Sequence, residues 1–508
     1  MKKIIFLVLG ILSFSGYSQS NTEVYLVDIS SVDGKSALTN LRNISNNEGY
    51  DNQPSFYDDN TVLFSSTRNG QTDIAKYSIE TSETTWVSNT TIGSEYSPLR
   101  IPESNAVSAV RLDTTGLQRL YEYNTSDGSS SMVLEGAKIG YHTWFTSKIL
   151  VATILVENRM DLISSKLNDT ETYTTIQKNV GRALHRIPNS KLVSFISKKD
   201  GKNILNSVDP ISGEVKLISL LPSKTQDMCW LADGGFLVPE GSNIYKLNPL
   251  KNNEQPTIIN LSNFKEIHNI SRMSVSPDGK HLAFVSEEPP SKIVQKQVDS
   301  FNAGDLDAFV HCYSENVLVS NYPKDTLYVG HTKMRNNYKG LSPNTKTYNV
   351  EVLKRITIGN KVIDHEKVMR NGEFQQFQVA IYEVDNGLIS SMTFIFDDKS
   401  ASNPKPIVIE QLVGYNARDI DSFLSTYTDD VQLFNFPADP RSQGLEAMRK
   451  GYAGFFDSTT DLNCEIKTRI IIGNKVIDEE YITANGNNFS AVAIYEVEND
   501  KISKVTFL

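Results

Sequence analysis

Cysteine is nearly missing from this chain: Cys229, Cys312 and Cys464 are few, odd in number and far apart. Disulfide frameworks and zinc sites both need denser, better spaced cysteines, so the three read as buried apolar thiols. Basic charge is also short, with 50 Lys and Arg against 60 Asp and Glu, a net charge of -10 and a pI near 5.4. Nucleic acid needs clustered cations to displace its counterions, and nothing here supplies them. Beyond residue 12 no stretch is long and apolar enough for a membrane helix, so no transmembrane segment is expected in the mature chain. No Gly-x-Ser-x-Gly nucleophile elbow and no convincing metal or nucleotide motif occurs, so no metal and no cofactor is expected.

What is present starts with a targeting pattern. Lys2 and Lys3 precede the apolar run Ile4 to Leu12, and Gly16 and Ser18 follow at cleavage spacing. The run is too short to cross a bilayer, and residues 1–18 read as a cleaved signal peptide, with cleavage near Ser18–Gln19. No cysteine stands there to carry a lipid. The mature chain is expected in the periplasm or outside the cell.

From residue 20 to 288 short apolar strands alternate with turns. Turn residues return at Asp58-Asp59-Asn60, Glu103-Ser104-Asn105, Ser147, Pro188-Asn189-Ser190, Asp233-Gly234 and Pro277-Asp278-Gly279, an interval of 42 to 45 residues. Each is followed by an apolar strand, such as Val62-Leu63-Phe64 or Leu282-Ala283-Phe284-Val285. Four short strands at that period make a propeller blade, which cannot bury both faces alone. Six turn signals predict six blades. The sixth, Met273 to Glu288, has only its first strands before Pro289-Pro290, and Glu23 to Ile29 is expected to supply the missing outer strand. The segment Ser276 to Ser286 (SPDGKHLAFVS) resembles the strand–turn–strand of TolB-like propellers, and Pro54 to Ser66 fits the same frame more loosely. That resemblance implies a ring that binds protein and is silent on ligand.

The last 220 or so residues contain one unit written twice. At an offset of 114 positions Asn302 lands on Asn416, Phe309 on Phe423, Tyr313 on Tyr427, Asn321 on Asn435, Gly330 on Gly444 and Tyr338 on Tyr452. Gly359 to Asp364 recurs unchanged as Gly473 to Asp478, and one deletion later Ala380 to Val384 recurs as Ala493 to Val497. The copies span 291–398 and 405–508. Each reads as helix, helix, strand, a loop with Pro and Gly, helix, and an antiparallel meander, an α+β layout. The fold class predicted for the whole is multidomain: an all-β six-bladed propeller followed by two α+β domains in tandem.

Phe301 to Phe309 (FNAGDLDAF), Tyr415 to Phe423 (YNARDIDSF), Gly444 to Arg449 and the closing Ile494 to Val497 resemble SnoaL-like members of the nuclear transport factor 2-like superfamily. The resemblance covers both copies and implies a cone, a curved sheet wrapped on a helix with a pocket at its open end. Its steroid-isomerase branch uses a base Asp near the end of the strand after the second helix. Here Asn321 and Asn435 stand at that place, and an amide accepts no proton at neutral pH. Other acids remain as candidates. On a strand Asp478 and Glu480 share one face, and Asp364 and Glu366 match them in the first copy. If that face looks into the cone, a raised pKa follows. The candidate ligand-binding residues are therefore Asn321, Asp364, Glu366, Asn435, Asp478 and Glu480, with no catalytic residue assigned. His365 has no counterpart, because the second copy contains no histidine. Arg335 and Arg449 read as surface ion pairs, and Tyr313, Tyr427, Tyr382 and Tyr495 as core.

Three functions fit, and the first is favoured, with the third as its structural basis. One is a binding protein whose partner is a protein or a small apolar molecule. A second is a SnoaL-like isomerase, cyclase or hydratase on a small apolar substrate, against which the two asparagines weigh. A third makes the two cones an intramolecular pair and an assembly platform, since tandem copies meet at high effective concentration.

Overall fold

Period-two burial builds the first part of the chain. In the strand Thr61–Arg68 the residues Val62, Leu63 and Phe64 are all buried, because alternate side chains serve two different interfaces. Phe64 and Val62 pack with Val24, Leu26 and Val285, whereas Leu63 and Ile74 pack with Val107 and Ala109. The same division repeats around the ring: Val110 with Leu150, Val151 with Phe195, Ile196 with Phe236, and Leu237 with Leu282 and Phe284. Six such interfaces join six four-stranded antiparallel sheets, each packed on its two neighbours. The computed structural model describes residues 21–32, 35–167, 172–221, 227–249, 256–261, 264 and 266–508. The signal-peptide reading of residues 1–18 lies outside them.

The ring closes with two strands where one was expected. Thr22–Val32 pairs with His281–Glu287, Val24 opposite Val285, and Lys35–Asn43 then covers its far edge. Val24 to Val27 are all buried, so this segment has to lie inside a sheet and needs a neighbour on both sides.

The chain divides into two compact units at Glu288 and Pro289. In the second unit one topology occurs twice. Each copy is a six-stranded sheet ordered, in the first, Asp325–Val329, Tyr313–Asn321, Leu388–Phe396, Glu373–Asp385, Lys361–Arg370, Tyr348–Ile358. Tyr313–Asn321 runs parallel to Leu388–Phe396 and the other pairings are antiparallel. The expected Pro/Gly loop contains an edge strand in both copies, Asp325–Val329 and Asp439–Gln443.

Helix α1 (Pro290–Ala303) ends at Gly304, whose φ of 76° closes the helix in the left-handed region. A Cβ there would meet the Ser342 carbonyl carbon at 2.7 Å, so glycine is required. Asp305 then caps α2 (Leu306–His311) by accepting from Ala308 N, and Asp419 caps its counterpart α5 (Ile420–Ser425) from Asp421 N and Ser422 N. Helix α3 (His331–Asn337) precedes the meander of the first copy. Helices α4 (Lys405–Ala417) and α6 (Leu445–Ser458) occupy the corresponding places in the second. Asn302 explains the best anchor of the duplication: its side chain donates to Val350 O at 2.8 Å and accepts from Val350 N at 2.9 Å. Asn416 makes the same two bonds to Cys464. One amide thus ties the long helix to the edge of each sheet.

The outer faces of the two sheets pack on each other through Ile363, Val379, Ile381 and Ile395 from one copy and Ile470, Ile477, Val492 and Ile494 from the other. Tyr322 donates to Glu496 Oε1 at 3.0 Å across the seam and lies 2.7 Å from Thr506 Oγ1.

Candidate site in the cone domains

Strand Lys361–Arg370 turns its even residues inward. Val362, Asp364, Glu366 and Val368 are buried on the concave face, while Ile363 joins the seam between the copies. A cavity of about 480 Å³ opens beside Glu366. Phe301, Phe309 and Tyr338 form an aromatic wall, with Phe309 and Tyr338 centroids 4.8 Å apart.

Glu366 is 2% exposed and both its oxygens are held. Tyr382 Oη donates to Oε1 at 3.0 Å and Gln378 Nε2 donates to Oε2 at 2.8 Å. Burial raises its pKa to about 7, against the two donors that favour the charged form; the Asp364 carboxylate adds to the rise and Arg355 opposes it. The group therefore exchanges its proton near neutrality while lining a hollow. Gln297, on α1, is also buried and lines the cavity, and its Oε1 has no hydrogen-bond partner.

Asp364 shares the face and has a different task. Arg355 Nε and Nη2 each donate to it at 2.7 Å, and Arg355 Nη1 reaches Ser291 O and Gln295 Oε1 on α1. Neither Asp364 nor Arg355 is among the residues lining the cavity. Asp478 repeats the pairing with Arg469 at 2.7 and 2.6 Å.

A second cavity, of about 510 Å³, is lined by the second copy together with Lys361 of the first. Glu480 lines it, accepts from Tyr495 Oη at 2.7 Å, and is also raised to about 7 by burial. Ala491 stands in the place of Gln378, so the second donor is lost. Gln411 matches Gln297 and bonds to Tyr427.

The two asparagines part company. Asn435 lines the second cavity, whereas Asn321 is not among the residues lining the first and donates to Asp325 Oδ2 at 3.3 Å. The edge strand that pairs Asn321 with Asp325 pairs Asn435 with Asp439 in the second copy, so the shared hairpin does not account for the difference. The absence of an acid at 321 is thus no evidence that the first pocket is inert, because another acid, Glu366, sits inside it next to a hydroxyl donor. His365 points to the other face, its ring centroid 5.7 Å from that of Phe377. Arg335 and Arg449 pair at the surface with Asp307 and Asp421.

Sequence reasoning missed Gln378 and Gln297 and placed Tyr382 in the core. A signal existed for Arg355. The turn at Gly359-Asn360 sets Ile358 opposite Lys361, and counting back three residues sets Arg355 opposite Asp364.

Residues 294–392 and 408–505 each match the model of the SnoaL-like domain. The C-terminal part of the chain therefore carries two SnoaL-like domains in tandem. Among solved structures, an uncharacterized cystatin-fold protein from Novosphingobium aromaticivorans is 30% identical, over 21% of this chain and 99% of that one, with a TM-score of 0.20. An NTF2-like protein from Cytophaga hutchinsonii is 20% identical over 21% of this chain and 89% of that one, with a TM-score of 0.18. The first unit is similar to TolB from Acinetobacter baumannii, 15% identical over 38% of this chain and 50% of that one, with a TM-score of 0.32; the match spans half of that protein's length. No curated protein matches the chain. Among the described residues no helix is long and apolar enough to cross a membrane.

Proposed function

We propose that the first cone is a small-molecule site, on a chain exported by its N-terminal signal, with Glu366 as the polar anchor of a largely apolar ligand. The observation that carries this reading is Glu366 itself, a buried carboxyl oriented by Tyr382 and Gln378 at the wall of a cavity of about 480 Å³. The ligand carries a hydrogen-bond donor, since Gln297 Oε1 and the ionised form of Glu366 both accept. The propeller serves as a recognition ring, and the paired cones present their pockets from one platform. Fluorescence titration with 2-naphthol tests the site. Binding is expected in the native chain and weakened at least about tenfold in Glu366→Ala, with 2-methoxynaphthalene, which lacks the donor, binding less well than 2-naphthol. Equal affinity for the two compounds would end this reading.

One observation favours a second reading, an enzyme that moves a proton. A carboxyl titrating at about 7 is suited to acid–base work at neutral pH. Exchange of the α-hydrogens of 2-tetralone into deuterium oxide, followed by proton NMR, separates the two. Exchange accelerated by the native chain and lost in Glu366→Gln marks the enzyme. Binding with no acceleration marks the receptor.

A further inference from the structure

Among the described residues, the centre of the propeller holds a charge that its own side chains do not balance. The innermost strands of three blades break register at corresponding places, between Asn52 and Ser55, Tyr96 and Leu99, and Ser271 and Ser274. Gln53, Ser97 and Arg272 sit in these breaks at φ of 55°, 53° and 47°, a region costly for residues other than glycine. Together with Tyr141, Arg182 and Asp227 they line a hollow of about 90 Å³. Pro54, Leu99, His142, Leu184, His185 and Met273 line both this hollow and a wider one of about 1020 Å³.

Arg182 donates through Nε and Nη2 to the two oxygens of Asp227. The Arg272 side chain is 13% exposed; its Nε lies 4.0 Å from Asp227 Oδ1, too far for a hydrogen bond, and its Nη2 donates to Tyr141 Oη at 3.1 Å. A guanidinium has five N–H donors, so most of those on Arg272 remain for something else. Two guanidiniums face one carboxylate, leaving one positive charge in excess. The neighbouring His142 and His185 add none, since burial holds their pKa values at about 3 and about 4. Such an excess, sunk at the bottom of a channel, is costly unless an anion meets it.

We propose that this hollow is a carboxylate-binding site, with Arg272 as the principal donor, and that the rest of the ligand extends into the wider channel. A carboxylate balances the single excess charge, where a phosphate dianion would overshoot it. The planar group also matches the fork of a guanidinium. Carboxylates at the end of a polypeptide and on a small organic acid share this chemistry.

Carbon-13 line broadening of labelled acetate, with the full chain in solution, tests the proposal, and acetamide serves as the neutral control. Acetate is expected to bind and acetamide not. Arg272→Gln should weaken acetate at least about tenfold, and Asp227→Asn, which raises the local positive charge, should tighten it. A variant that merely misfolds would lose binding, so a gain in Asp227→Asn cannot arise that way. Equal behaviour of acetate and acetamide, or no change in Arg272→Gln, overturns the proposal. A short alanine peptide with a free C-terminus and succinate then distinguish the sources. The one that binds more tightly than acetate identifies what the wide channel accepts, and if neither does, the channel takes no part.

Discussion

Tyr382 and Glu366 face each other across neighbouring strands, and the hydroxyl hydrogen bond between them is 3.0 Å long. The pair recurs as Tyr495 and Glu480 at 2.7 Å. The tyrosine is the donor in both, so it orients the carboxyl without neutralising it. Burial then raises both acids to about 7.

This relationship predicts how stability follows pH. Glu366 binds its proton more tightly in the folded chain, at about 7, than unfolded, near 4.5. Its contribution is fully present below about pH 4.5, falls as pH rises, and is lost above about 7. The size of the effect is on the order of 3 kcal/mol. Glu366→Gln removes the titrating group, so its urea midpoint should fall less than that of the native chain between pH 5 and pH 8. Parallel curves would mean that the carboxyl is not desolvated.

Arg355 makes a second prediction. It is the cation that neutralises Asp364, which is fully buried. Arg355→Met should cost about 3–5 kcal/mol, because an unpaired carboxylate is left inside the cone. The loss should be smaller at pH 5 than at pH 8, since the stranded acid takes up a proton as pH falls. Adding Asp364→Leu should restore most of the midpoint in chemical denaturation. A double variant as unstable as the single one would show that the arginine acts through its contacts to α1 instead.

The sequence made some of this plain and hid the rest for physical reasons. The 42 to 45 residue interval disclosed six blades because each blade must bury the same two faces. The two-strand closure was hidden because Lys35–Asn43 carries little apolar alternation and lies at a sheet edge. In the cones, strand parity placed Asp478 with Glu480 on one face and Glu479 on the other. Parity alone did not say which of the two acids a cation occupies; the register set by the Gly473-Asn474 turn does, because it puts Arg469 opposite Asp478. Gln378 gave no signal at all, because the other copy has Ala491 there and comparison of the copies erases it. Asn321 misled for a related reason: its matched position with Asn435 suggested a matched environment, and only Asn435 lines a cavity.

Asn302 supports a third prediction. Its amide makes both a donated and an accepted bond to the backbone of Val350. Asn302→Ala strands two backbone groups and should cost about 1–3 kcal/mol, with a matching loss for Asn416→Ala in the second copy. Hydrogen exchange should report the change locally, as faster exchange of the Val350 amide in the first variant and of the Cys464 amide in the second. Exchange altered equally in both copies by either variant would argue against two separate ties.

The seam between the cones yields the last prediction. Ile381 and Ile494 are fully buried in the cluster that joins the two sheets. Ile494→Ala removes buried methyl and methylene groups from a packed interface and should cost about 2–5 kcal/mol. Tyr322→Phe removes the bonds to Glu496 and Thr506 while keeping the ring, and should cost about 1 kcal/mol. Because neither residue lines either cavity, neither change should alter 2-naphthol binding when measured well below the unfolding transition. A seam variant that abolished binding while the chain stayed folded would show that the pockets depend on how the two sheets are held together. In that case the duplication would be part of the site itself, since each cone would need its neighbour to keep its cavity in shape.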